Sequence, residues 1–235
     1  MLASGASVED VAARAAMAAE RATRAATDDP AFLAAARLLV ELPLAARGPG
    51  FDRYLEEQGI ASGSLDDSVS FLAALSDALD HTPATTDLGE MARATFVSAV
   101  ASELDRRLPQ LFPAGPADIR AALGKLAGGN DFAEFARAFF AGLTHRTLQY
   151  YLSRELARHT GEDRRFATDA ARMAFDRVLE RHTWEAAGIV REFASGWYGK
   201  NVWQGDGPTP EKIANFSAYA FTKLRKELAR RRELD

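Results

Sequence analysis

Cap residues and glycine stops cut this 235-residue chain into helix-length pieces, and no stretch alternates apolar and polar residues as a strand does. Ser7-Val-Glu-Asp10 and Ser64-Leu-Asp-Asp67 set a hydroxyl three residues ahead of an acid, the pattern of a capping box or its Asp variant. Asp29-Pro30 and Thr209-Pro210 place a cap residue before a first-turn proline, and Asn130 stands where it can cap the helix after it. Gly48, Gly59, Gly128-Gly129 and Gly161 mark helix ends. Together these signals predict nine helices, over 7–27, 30–46, 51–58, 65–80, 87–107, 116–127, 131–160, 163–197 and 210–232. Pro43 is expected to kink or end the second. The predicted fold class is all-α, one helical domain whose backbone is the pair of long helices in the C-terminal half, each about 45 Å at 1.5 Å per residue.

The sharpest internal break is "LPQLFPAGPAD", Leu108 to Asp118, with three prolines and a glycine. It separates an alanine-rich half, 1–112, from a long-helix half, 113–235. The break is short, so the halves are expected to pack together as one domain. No repeat of fixed period is present. The chain has no cysteine, which removes disulfides, thiol catalysis and thiolate metal sites and fits a reducing compartment. Its net charge of −4 argues against a general polyanion binder. No apolar run reaches membrane-spanning length, and the first residues carry Glu9 and Asp10 rather than a basic start and apolar core. Only five of the 29 basic residues are lysine, and alanine is abundant, which reads as a GC-rich bacterial genome. A cytoplasmic protein without a membrane partner is the expectation.

Three surfaces stand out. In the helix over 131–160, Phe132, Phe135, Phe139, Leu143 and Tyr150 share one face and are expected in the core. Ala138, Gly142, His145 and Gln149 share another, where small residues let a neighbour approach and the histidine and glutamine become partly buried. That face reads either as a polar pocket or as a core histidine with a hydrogen-bond partner. In the next helix Phe175, Val178, Leu179, His182, Ile189, Val190, Phe193 and Trp197 form a wide apolar stripe. Its other side carries Arg177, Arg181, Trp184 and Arg191. Trp184 with Arg191 is a candidate partner anchor, since Trp and Arg dominate binding hot spots. The plainer alternative is an arginine stacked on the indole.

The second surface is the stretch "WYGKNVWQGDGPTP", Trp197 to Pro210. The helix is expected to break at Gly199 and the chain to turn at Asp206-Gly207. The tryptophans then plug a corner between two long helices. Tyr198, Lys200, Asn201, Trp203 and Gln204 are the residues that such a corner leaves available for recognition. The third surface is the flank of the last helix, where Lys212, Tyr219, Lys223, Lys226 and Arg230 advance by 7, 4, 3 and 4 along one side. A solvated face explains it, and so does a contact to an acidic protein or to phosphates.

Catalytic signatures are missing from the sequence. It holds no phosphate-binding loop, no dinucleotide fingerprint, no His-Glu-x-x-His and no serine elbow. Glu155 and His159 stand one turn apart near a helix end, but no set of histidines has metal-ligand spacing. No cofactor and no metal is implied. The leading expectation is a non-enzymatic helical interaction module, an adaptor or assembly subunit, whose partner is another protein, plausibly acidic. The alternatives are a nucleic-acid-associated protein using the C-terminal basic face, or an enzyme with a pocket near His145, Gln149 and His182. Self-association stays open. The N-terminal helix, mostly alanine with Val8, Val11 and Met17, is expected to pack poorly or to dock on a partner.

Overall fold

The computed structural model describes residues 7–20, 23, 27–109, 113–161, 164, 166–203 and 207–233, without the side chains of 62, 154–158, 203 and 232. The described residues form ten α-helices: α1 (Val8–Ala18), α2 (Pro30–Arg47), α3 (Phe51–Glu57), α4 (Ser68–Asp80), α5 (Asp87–Arg107), α6 (Pro116–Lys125), α7 (Gly129–Arg158), α8 (Asp169–Ala186), α9 (Gly188–Trp203) and α10 (Pro210–Arg232). A 3-10 turn, Ser62–Asp66, precedes α4. Among the described residues the one β-type pairing is an isolated bridge between Thr160 and Phe166, so the fold is all-α.

Several caps act as their residue types dictate. Ser7 accepts from the Asp10 amide at 3.1 Å and Thr209 from that of Lys212 at 3.3 Å. Others fall elsewhere than expected. Asp67, not Ser64, caps α4 by accepting from the Val69 and Ser70 amides, because the 3-10 turn uses up the residues before it. Asn130 lies inside α7, which already begins at Gly129 with the Phe132 amide bonded to the Gly128 carbonyl. Pro43 does not end α2, which runs on to Arg47. The expected helix over 163–197 is two helices. Ala187 ends α8 with ψ of −5°, its carbonyl is taken by the Val190 amide only three residues on, and Gly188, a poor helix former, opens α9. Nor does Gly199 break the chain: α9 passes through it to Trp203. Gly207, at φ +92°, does turn it.

α7 is the central helix, touching α1, α5, α8 and α9. Phe132, Phe135, Phe139, Phe140 and Leu143 are fully buried along it. On both α7 and α8 the apolar period runs past its cover. Tyr150 is 47 % exposed and donates to Asp87 at 2.6 Å, and Val178 on α8 is 43 % exposed. Helical spacing places a residue on a face, and only the neighbouring helix decides how far that face is covered.

The expectation for α1 is also corrected. Val11, Ala12 and Ala15 are fully buried, and α1 packs on α10, α8 and α7. Alanine contributes little area by itself, but three neighbours approach it closely because nothing protrudes.

One polar cluster locks α2 to α5. The Asp29 carboxylate, in a residue only 1 % exposed, caps α2 through the Ala31 and Phe32 amides. It also accepts from the amide and hydroxyl of Thr85 and the hydroxyl of Thr86, at 2.8 to 2.9 Å. Thr86 in turn caps α5 at the Gly89 amide. A Cβ on Gly89 would lie 2.2 Å from the Asp29 carboxylate, so only glycine fits there. Burial pushes the Asp29 carboxyl upward, but the hydrogen bonds from Thr85, Phe32 and Thr86 outweigh it and hold the group below its ordinary range.

Candidate functional site: a polar groove along the central helix

α5 and α8 lie on either side of one face of α7, leaving an open groove of about 690 Å³ between them. Ala138, Ala141 and Gly142 make its floor. At Gly142 a Cβ would come within 3.0 Å of the Thr95 methyl, so α5 rides tight against α7 there and the groove opens beyond that contact. Each wall follows from helical spacing. Thr95, Ser98, Ser102 and Arg106 advance along α5 by 3, 4 and 4 residues, and Glu180 and Trp184 stand four apart on α8, with Asp176 one turn before them at the groove's end. From Thr95 to Arg106 the wall is about 16 Å long at 1.5 Å per residue.

Two polar clusters organise the groove. In the first, His145 Nε2 and Gln149 Nε2 meet the same Asp176 oxygen, Oδ1, at 3.1 and 2.7 Å. The Asp176 side chain retains 32 % exposure. In the second, Arg146 donates to the Ser98 hydroxyl at 3.1 Å, while Ser98 and Ser102 each donate to a carbonyl of their own helix. At one end Arg106 pairs with the buried Glu103, which also binds Arg107.

Trp184 forms the rim on the α8 side. It is 41 % exposed, and the Arg137 guanidinium lies 4.3 Å from its ring while donating to the Trp184 carbonyl at 3.0 and 3.2 Å. The arginine on the indole is thus from α7, not from the Arg177, Arg181 and Arg191 of its own stretch. Stacking and backbone hydrogen bonds together fix the indole with one part against protein and the rest toward solvent.

The face read from sequence as Ala138, Gly142, His145 and Gln149 is therefore brought into one site with Trp184. His182 is not part of it. It is buried on the opposite side of α8, with Nδ1 3.8 Å from Glu9 on α1. Arg191 lies outside the groove and pairs with Glu134 at 2.9 Å. Tyr198 is the clearest correction. It is fully buried and stacked on Phe132 at 3.9 Å, because α9 continues past Gly199 and turns that side chain inward. Burial holds its phenol well above the ordinary tyrosine range. Trp197 completes the aromatic corner by stacking on Phe216 at 4.3 Å. Lys200 is exposed, and Asn201 donates back to the Trp197 carbonyl. The side chains of Trp203 and Glu155, and all of Gln204 and Asp206, lie outside the described residues.

The flank of α10 is exposed at Lys212 and Lys226, and its one arginine is paired within the helix. Arg230 forms a two-pronged pair with Glu227, which also takes Arg231. Lys223 sits 5.3 Å from the Tyr219 ring, itself edge-on to Phe193.

Asp176, Ser98, Arg137 and Arg146 are the site residues that sequence reasoning missed. Asp176 shares a helical face with Glu180 and Trp184, and that spacing was the available signal; nothing in sequence paired it with His145. Among the described residues no three carboxylate or imidazole groups cluster as metal ligands, and no helix is long and apolar enough to cross a membrane. No family model matches the chain, and no curated protein or solved structure matches it.

Proposed function

We propose that the protein is a helical interaction module that binds an extended segment of a partner protein in the groove between α5 and α8. The observation that carries this reading is the groove itself. It is open, about 690 Å³, and lined by apolar and polar atoms together, with a single pre-set indole at its rim. A small-molecule site typically buries most of its ligand's surface, which an open trough does not. A polypeptide instead needs alternating donors and acceptors along a trough, and an aromatic anchor at one point. His145, Gln149 and Asp176 supply the first requirement, and Trp184 the second. Glu180 on the α8 wall and Arg146, reaching from α7 to Ser98 on the α5 wall, favour a segment of mixed charge over a uniformly acidic one. This moves the proposed contact from the basic flank of α10, whose Arg230 is paired with Glu227, to the groove.

The test is peptide display against the immobilised protein, with Ala138→Trp as a plugged control. Peptides that bind the parent should bind Trp184→Ala and Ala138→Trp at least tenfold more weakly. Failure to enrich any peptide, or equal binding to the plugged protein, rules the groove out as the contact.

A further inference from the structure

The opposite face of α7 borders a second space, independent of the groove. Thr144, Thr147 and Leu148 project there, facing α1 and α10. The cavity measures about 110 Å³, a little below the roughly 150 Å³ of an apolar cavity that holds a benzene ring. Ala16 of α1, Ala19 just past its end, and Phe221, Leu224 and Leu228 of α10 give it an apolar body. Threonines line it as well, but most of their hydroxyls are already spent. Thr23 donates to Ala19, Thr147 to Leu143 and Thr222 to Ala218, each to the carbonyl four residues before it at 2.7 to 3.0 Å. Water entering needs two to four polar partners, and the body of this cavity offers few.

The rim is different. Arg225 and Glu20 meet across it at 2.6 Å, both partly exposed. They present one donor group and one acceptor group side by side at the edge of an apolar space. A hydroxyl satisfies both, donating to the carboxylate and accepting from the guanidinium, and leaves the ion pair intact. A charged ligand has to displace one member of the pair and strand the other.

We infer that this cavity is a binding site for a small neutral amphiphile of six to eight heavy atoms, a phenol or short branched alcohol, with its apolar part among Leu148, Phe221 and Leu228 and its hydroxyl at the Glu20–Arg225 pair. Small side chains at Ala16 and Ala19 keep the space open, and the site joins the N-terminal helix to α10 through the guest.

The experiment is titration of the full chain with phenol, benzene and benzoate, followed by amide chemical shifts in proton–nitrogen spectra at pH 7. Phenol should give saturable shifts confined to α1, α7 and α10. Benzene should bind several-fold more weakly, for want of the hydroxyl, and benzoate more weakly still. Thr144→Leu, which fills the space from α7, should reduce phenol binding at least tenfold. Should that variant fold poorly, Leu228→Ala, which enlarges the space, serves instead, and should shift preference from phenol toward 4-ethylphenol. The inference is overturned by linear, unsaturable shifts with phenol, by benzoate binding as tightly as phenol, or by unchanged phenol binding in Thr144→Leu. Peptide binding in the groove is unaffected by any of these outcomes, so the two sites stand or fall separately.

Discussion

Asp29 and Asp176 are both carboxylates that tie one helix to another, and their surroundings are opposite. Asp29 is dry. Five donors from α2 and the start of α5 occupy its two oxygens, and the glycine opposite leaves no room for anything else. Asp176 takes two side-chain donors, both on Oδ1, and stays a third exposed at the edge of an open groove. A carboxylate whose lone pairs are all taken by its own fold has no capacity left for a ligand, and its removal is felt as lost stability. A carboxylate still a third exposed beside a groove holds its neighbours in place and can accept from a newcomer. The same residue type is thus a rivet in one place and part of a recognition surface in the other.

The largest expected effect lies at the rivet. Asp29→Ala leaves the Thr85 amide and two hydroxyls without an acceptor and uncaps α2, and should cost about 4 kcal/mol in urea unfolding. Gly89→Ala should follow in the same direction, because its Cβ overlaps the carboxylate. Retention of parent-like stability by both variants would erase the distinction drawn between the two sites.

Acid sharpens it. The Asp29 carboxyl is held below its ordinary range in the folded state, so the folded chain binds that proton less readily than the unfolded chain does. Its contribution is therefore complete above the unfolded value, about 3.9, and drains away as pH falls through the folded value. Thermal melts of the parent should lose stability steeply below about pH 4, and the loss should be shallower in Asp29→Asn. An equal acid slope in both proteins would show that other carboxylates carry it.

At the groove the expected stability effect is smaller. Asp176→Asn keeps an acceptor for Gln149 and changes the partner of His145, and should cost about 1 kcal/mol or less. Groove-selected peptides should nevertheless bind it several-fold more weakly in calorimetric titration. A stability loss as large as that of Asp29→Ala, with peptide binding intact, would make Asp176 a second rivet.

The smallest effect is predicted on α10. Lys223→Glu with Lys226→Glu should leave melting within about 0.5 kcal/mol per site, since Lys226 is exposed and Lys223 only overlies Tyr219. Groove peptides should bind the double variant like the parent. Weakened binding would return the flank to the contact surface.

Much of the helical framework was legible locally. Asp29-Pro30 and Thr209-Pro210 start helices where a cap and a fixed φ say they should, because those preferences act within one turn of chain. The joint at Ala187 was not legible, since a lone glycine inside a helical pattern is compatible with an unbroken helix. The candidate site was half legible. Ala138, Gly142, His145 and Gln149 share a face by the 3.6-residue period alone, and Trp184 stood out by its type. Asp176 and Arg137 did not, because Asp176 lies 31 and 27 residues from its partners His145 and Gln149, and Arg137 lies 47 residues from Trp184.

By itself, then, the sequence determined the helical class, most helix starts, and which side chains share a face of each helix, since all three depend on interactions spanning four residues or fewer. Only the tertiary structure decided which faces are covered. It buried Tyr198 and the alanines of α1, left Tyr150 and Val178 at the surface, filled Asp29 and left Asp176 open. Burial depends on what another helix brings to a face, and the distance along the chain to that helix carries no local signal.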